Sequence, residues 1–400
     1  MSYHLLPPGP AGAPAATRLR EERLQKTKPE NEVLSLTRRL VGYRSYTPGA
    51  TRSAIEFIRG WFEARGLQTL TYGGAGPGGE LSSLAVRVGS GEPRILFHGH
   101  VDVVPGEEWQ FDPYEEDGEL YGRGVYDMKG ALAAMMYAME DLHLLGCEAT
   151  VELLVVPDEE REYGGPKGAE ILIQHGHVGD FLITGEPTDF HVGTQAKGVL
   201  HLRVTLRGKS AHGSRPWLGK NAVLMAYEHY RRVLELPFAH ERSELFPYPS
   251  INFARIIGGD VINRVPDRAT YDMDIRYLPG QDPKEITRQI RSIDLPAEVE
   301  VLYSCEPTYV SRRNPYVKAL REVAARHYHG NPVGVGRHGA SDIVYFQRVG
   351  VPGVEFGPIG GGHHGPAEYV VCESLEAYRQ MLVQFVQIVG RNGRRAVKGD

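Results

Sequence analysis

Apolar residues recur at helical spacing in "PENEVLSLTRRLVGYRS" from Pro29 and "SAIEFIRGWFEARG" from Ser53, with Gly66 placed to end the second helix. Strand-like runs follow at "SLAVRVG" (from Ser83) and "RILFHG" (from Arg94). "GALAAMMYAMEDLHLLG", from Gly130, is apolar on nearly every side and predicts a buried helix whose methionines fill the core. "TVELLVVPDEE" and "FLITGEPT" are short apolar runs that end in acids. Strands and helices alternate, which predicts an α/β/α domain with a mixed, mostly parallel sheet.

The pattern changes near Phe190. "GVLHLRVTLRG" alternates like a half-exposed strand, and "KNAVLMAYEHYRRVLEL" is helical. "PSINFARIIGG" and "RATYDMDIRYLPG" read as paired strands, "DPKEITRQIRSI" as a helix and "AEVEVLYSCEP" as a last strand. This β-α-β-β-α-β order predicts an inserted α+β ferredoxin-like domain over 190–307. It interrupts a catalytic domain made of 29–189 and 308–400, which resumes with "NPYVKALREVAARHYHG" and closes on the helix "SLEAYRQMLVQFVQIVG". Residues 1–28, rich in proline and glycine, are expected to be a disordered extension. The glycine-rich stretch from Gly73 to Glu80 lacks the Gly-Lys-Ser/Thr of a phosphate loop and reads as a surface turn.

Composition narrows the function classes. Hydrophobic residues make up 41% and charged residues 24% of the 400, and the net charge is −5 with both signs interspersed. That balance argues against a nucleic-acid partner, and no apolar run is long enough for a membrane span. The three cysteines, Cys147, Cys305 and Cys372, lack any Cys-x-x-Cys spacing, so inert thiols and a cytoplasmic location are expected.

The chemistry lies at the strand ends, where open α/β sheets bind ligands. His98, His100 and Asp102 share one face of an extended chain after "ILF". Glu159 and Glu160 follow "LLVV", Glu186 follows "FLIT", and "VEFGP" leads to His363 and His364. Asp127 sits just before the long helix. Acids gathered in this way repel one another unless a cation neutralises them. Histidine with carboxylates and no cysteine suits zinc, with cobalt or manganese as alternatives. The spacing leaves open whether His98 or His100, and whether His363 or His364, is the ligand.

"GHVDVVP", "GRGVYDMKG", "PDEE", "GEPT", "KSAHGSRP", "GASD" and "HGPAEYV" occur in the order seen in the two-metal aminoacylase/carboxypeptidase family. The chain resembles that family, which includes acetylornithine deacetylase, succinyl-diaminopimelate desuccinylase and carboxypeptidase G, over about residues 30 to 390. The resemblance implies two divalent metal ions, one held by His100 and Glu186, the other by Glu160 and His364, with Asp127 bridging them. It selects His364 through the spacing to Glu368. Asp102 is then expected to bond the free ring nitrogen of His100.

Glu159 is implied as the general base that activates a metal-bridging water. His212 matches a histidine that stabilises the oxyanion, typically in the partner subunit's active site. Asn263, Arg276, Gly339 and Ser341 match substrate-binding positions. Arg276 suits a carboxylate, although pairing with Asp272 or Asp274 would occupy it. The inserted domain is implied as lid and dimerisation domain of a homodimer. Met128 after Asp127, where many of the family's peptidases have a second aspartate, points to a deacylase of small N-acyl amino acids. A metallopeptidase is the alternative reading, and an inactive ligand-binding relative the weaker one. The acyl group is not legible; a succinyl group would call for a further cation, with Lys209, Arg215 and Arg337 as candidates.

Overall fold

The computed structural model describes residues 31–75, 77–160, 166–328 and 332–397; the expected extension over 1–28 lies outside them. The main body is built on a mixed sheet of nine strands among the described residues. Its order is Thr69–Ala75, Leu81–Val88, Thr150–Val156, Arg94–His100, Phe181–Thr184, Gly353–Glu355, Val192–Ala196 and Thr308–Tyr309, with Gly334–Arg337 also paired to Val192–Ala196. The centre is parallel: Arg94–His100 runs alongside both Thr150–Val156 and Phe181–Thr184, and Phe181–Thr184 alongside Gly353–Glu355. Parallel central strands send their carboxyl ends to one edge of the sheet.

Alternation along these strands builds three layers. Ile95, Phe97, Leu153 and Val155 pack with the helices Glu32–Val41, Pro48–Glu63, Gly130–Leu145, Pro315–His327 and Cys372–Val397. Leu96, Leu154 and Leu182 face the other way, onto the short helices Gly168–Gln174 and Ile343–Arg348. The helix Gly130–Leu145 is buried at Ala131 to Met139, as its unbroken apolar run predicts. No described helix is long and apolar enough to cross a membrane.

The inserted segment forms a four-stranded antiparallel sheet ordered Ser250–Gly258, Arg268–Tyr277, Gly198–Arg207, Ala297–Cys305. Its helices, Ala222–Val233 and Pro283–Arg291, close a separate core over Leu200, Leu202, Tyr271, Met273 and Ile275. Residues 192–196, which the pattern assigns to the insertion, instead belong to the large sheet. The break comes after Ala196, where burial on both faces gives way to alternation.

Two elements escape the pattern. Thr69–Ala75 is an edge strand with one buried residue and two glycines, so its alternation is weak and its antiparallel ladder to Leu81–Val88 defines it. A small sheet of Tyr114–Glu116, Glu119–Tyr121, Gly360–Gly361 and Tyr369–Val371 has strands too short to carry a period. It pins both ends of the loop that carries His363 and His364.

Candidate metal centre

His100, at the end of its strand, is fully buried, and its Nε2 lies 3.1 Å from Asp127 Oδ1 and 3.9 Å from Glu186 Oε1. The other Asp127 oxygen, Oδ2, faces His364 Nε2 at 3.3 Å, and that nitrogen lies 2.9 Å from Glu160 Oε1. Asp127 thus spans two histidines, one oxygen to each. His100, Asp127 and Glu186 form one group able to hold a metal ion, and Asp127, His363 and His364 form another. His100, Glu159 and Glu160 form a third.

Met128 sets the position of Asp127. A Cβ on either Gly99 or Gly185 would come within 2.7 Å of Met128 Cε. The glycines beside His100 and Glu186 therefore leave the room that the Met128 side chain fills. The same thioether accepts from the His100 N–H at 3.4 Å. His364 adopts a left-handed backbone (φ 61), one turn of loop after Gly362 at φ 66. That conformation costs a non-glycine residue energy that the surrounding contacts must offset.

Those contacts run through two residues to which the sequence reading gave no role. Glu368 Oε1 accepts from the N–H groups of Tyr126 and Asp127 at 3.2 and 3.1 Å, and its Oε2 pairs with Arg123 at 2.7 Å. Arg123 Nη2 then donates to the His364 carbonyl at 3.2 Å. One buried ion pair thereby holds the backbones of Asp127 and His364. The signal was present in "GRG" and in the His-x-x-x-Glu spacing, but a partner 245 positions away along the chain has no local signature. We expect Glu368→Gln to weaken zinc binding about 10- to 100-fold, the usual cost of losing a group that orients ligands. Zinc titration against a chromophoric chelator checks this, and wild-type affinity would show that the pair is dispensable.

Asp102 behaves differently from the expectation. His100 Nδ1 meets the Asp102 backbone carbonyl at 3.0 Å, while the nearer carboxylate oxygen is 3.6 Å away. The carboxylate instead accepts from the N–H groups of Glu159 and Glu160 at 3.2 and 3.0 Å. Two residues past the strand end, the chain turns its carbonyl toward the ring and leaves the side chain free to hold the acidic loop. His98 packs against Phe346 on the short-helix side of the sheet, between Thr184 Oγ1 at 3.0 Å and Asp342 Oδ2 at 3.3 Å. Glu160 also distinguishes the paired histidines: both His363 and His364 face Asp127 Oδ2, but only the His364 ring is bonded to Glu160 among the described residues.

The electrostatics are those of crowded acids and histidines. Burial, with the Asp342, Glu160 and Asp127 charges, holds the Glu159 carboxyl well above its usual range despite His100. Burial and Asp127 do the same to Glu186. His364 is pushed up to about 10 by its bonds to Asp127 and Glu160. His100 rises as well, because Asp102, Asp127 and the nearby glutamates outweigh burial. Acids packed this closely are offset by protons or by bound cations. The donor set, two imidazoles and three carboxylates without sulfur, fits divalent ions of the zinc type.

Glu159 also lines a cavity of about 550 Å³ whose far wall is the inserted sheet, with His201, Arg276, Tyr303, Ser341 and Lys167 around it. Arg276 Nε is bonded to both Asp274 oxygens, at 2.9 and 3.2 Å, so the pairing with Asp274 is real and occupies one edge of the guanidinium. Ser341 is buried on this wall, whereas Gly339 is exposed with open space around it. His212 and Asn263 are not brought to the centre. Both are exposed in neighbouring loops of the insertion, where Gly213 N donates to the Asn263 carbonyl at 2.7 Å and the His212 ring bonds Ser214. Among the described residues no hydrogen bond or ion pair joins either to the five candidate ligands.

The chain is similar to proteins of one family. An acetylornithine deacetylase of Pasteurella multocida is 35% identical over 243 residues, covering 58% of this chain and 62% of that protein's length. A probable succinyl-diaminopimelate desuccinylase of Staphylococcus epidermidis is 27% identical over 355 residues, or 77% of this chain and 84% of the relative. Among solved structures, a Staphylococcus aureus tripeptidase superposes with TM-score 0.75 at 21% identity, over 90% of this chain and 99% of that one. A Bacillus subtilis dinuclear metal binding peptidase from the M20 family superposes at 0.63 with 17% identity, over 90% of this chain and 98% of that one. At such identities the likeness fixes the fold. The model of peptidase family M20/M25/M40 matches residues 96–388, more than half of the sequence, and the chain belongs to that family.

Proposed function

We propose that this hydrolase removes an N-acyl group from an amino acid or related small amine at a two-metal centre. One ion would be held by His100, Glu186 and Asp127, the other by His364, Glu160 and Asp127. The observation that carries the reading is the convergence of these donors beside Glu159, at the mouth of a cavity that reaches Arg276. When bound, such ions supply Lewis-acid polarisation of the amide carbonyl and lower the pKa of water.

The chain's own groups do the rest. Glu159 takes a proton from the attacking water and returns it to the leaving amine. Asp102 fixes the peptide of Glu159 and Glu160 through its carboxylate and orients His100 through its carbonyl. Arg276, held by Asp274 through Nε, offers its Nη groups to the substrate carboxylate, with Ser341 beside it and Gly339 leaving the entrance open. Closure of the inserted domain as a lid would exclude bulk water from the site.

His212 and Asn263 complete the site only if a second copy supplies them. Leu224 and Tyr227 on the helix Ala222–Val233, with Ile256 and Ile257 on the edge strand Ser250–Gly258, form an exposed apolar surface. An open edge strand beside such a surface favours pairing with another chain. Sedimentation is therefore expected to give twice the 44.4 kDa chain mass, and a monomer at micromolar concentration would remove His212 from the mechanism. The three cysteines are free and widely separated, which supports a cytoplasmic setting.

The deacylase reading draws on the names of the sequence relatives and on Met128 after Asp127. The tripeptidase likeness and the carboxypeptidase from Sulfolobus solfataricus, with TM-score 0.74, keep a peptidase as the second reading. Acyl amino acids assayed beside dipeptides, with zinc or cobalt added, decide between them. Turnover of the dipeptides alone would overturn the deacylase reading, and turnover of nothing would favour an inactive binding relative.

A further inference from the structure

The loop that follows Glu186 carries a backbone feature that the five candidate ligands do not explain. Asp189 and Phe190 stand at φ 53 and φ 61, the one consecutive pair of non-glycine residues in the left-handed region among the described residues. Each conformation has a steric cost that its surroundings must offset. Phe190 offsets it by packing, 2% exposed against Phe356 and Tyr328. Asp189 is half-buried and is held by hydrogen bonds instead.

Asp189 Oδ1 accepts from donors on two other segments. The Tyr126 hydroxyl donates to it at 2.7 Å and the Gly360 N–H at 3.0 Å. Tyr126 immediately precedes Asp127, and Gly360 opens the two-residue strand that leads to His363 and His364. Asp189 itself lies three residues after Glu186. One carboxylate oxygen therefore ties together the segments that carry Asp127, Glu186 and His364.

The left-handed turn brings that oxygen into place. It directs the Asp189 and Phe190 N–H groups to the carbonyls of Pro358 and Gly357, at 3.2 and 3.0 Å. Thr188 Oγ1 accepts from the Gly357 N–H at 2.9 Å. The segment that starts at Gly357 is thereby laid so close to the Glu186 loop that a Cβ on Gly357 would come 2.4 Å from the Glu186 carbonyl oxygen. On the third side the Tyr126 ring leaves as little room, since a Cβ on Gly360 would meet its Cδ2 at 2.6 Å.

In the two-site arrangement Asp127 is shared, Glu186 belongs to one site and His364 to the other. We propose that Asp189 is a positioning residue that fixes the two cation sites relative to each other, holding the shared Asp127 through Tyr126 and the His364 loop through Gly360. It belongs to none of the groups able to hold a metal ion and acts only through these bonds. The inference rests on the two-metal reading above.

Three variants test it. Asp189→Gly removes the carboxylate and accepts the left-handed backbone without strain, whereas Asp189→Asn accepts that backbone and keeps an acceptor oxygen. Tyr126→Phe removes one of the two bonds and keeps the ring. Zinc is titrated into metal-free protein against a chromophoric chelator. Asp189→Gly is expected to weaken the two-ion state about 10- to 100-fold, Tyr126→Phe less, and Asp189→Asn no more than about threefold. Wild-type affinity in Asp189→Gly overturns the inference, even if that variant melts earlier, because Asp189 would then serve the fold alone. An equal loss in Asp189→Gly and Asp189→Asn also overturns it, because the charge and not the bonds would then matter. If the wild type binds fewer than two ions, the two-metal reading fails by itself, and amide hydrogen exchange of the metal-free protein still decides the role of Asp189. Exchange of the Gly360 N–H about tenfold faster in Asp189→Gly than in wild type supports the tie, and equal exchange overturns it.

Discussion

Replacing Glu159 with alanine is expected to lower kcat about a thousandfold or more while the chain keeps its metal. The expectation comes from position. Glu159 lines the cavity that reaches Arg276, whereas its neighbour Glu160 is engaged by His364 at 2.9 Å. Glu159 does lie close enough to His100 and Glu160 to count among possible donors, so ligand and base are distinct, testable roles. Metal content measured beside kcat separates them. If the ion is lost together with activity, Glu159 is a ligand and another group must move the proton; if activity persists, it is neither.

Removal of metal is expected to lower Tm by on the order of 10 °C. Two ions, each present at about a hundred times its dissociation constant, add roughly 5 kcal/mol to the folded state by mass action. For a domain of this size each kcal/mol moves Tm by about 2–4 °C. The structure supplies the physical reason: Asp127, Glu159, Glu160 and Glu186 converge at one sheet edge, and without cations they must be offset by protons on His100, His364 and the glutamates themselves. Differential scanning calorimetry with and without a chelator at constant pH checks this. Identical transitions would mean that the cluster is stable without ions.

Much of this was legible in the sequence, and what was not has identifiable causes. The long buried helix from Gly130, the parallel strands ending in acids and the β-α-β-β-α-β insertion all write their periods over many residues. Three of the candidate ligands, His100, Glu160 and Glu186, were legible as candidates because they lie at or just past the ends of apolar strands, where the fold gathers polar groups. The edge strand Thr69–Ala75 was hidden because an exposed, glycine-bearing edge has little hydrophobic alternation to display. The roles of Arg123 and Glu368 were hidden because their contact joins distant segments through a small sheet of two- and three-residue strands. The backbone contact of His100 with Asp102 could not be read from residue types, since every residue carries a carbonyl. The Arg276 pairing was foreseeable, because Asp274 lies two positions away on the same strand face.

The central claim is that Asp127 joins two cation sites, one with His100 and Glu186 and the other with His364 and Glu160. Plasma mass spectrometry of purified protein, wild type beside Asp127→Ala and equilibrated with zinc, tests it most directly. The account predicts two zinc ions per wild-type chain and the loss of both, or nearly both, in the variant. A wild-type chain that binds one ion or none, or a variant that retains both, would contradict it.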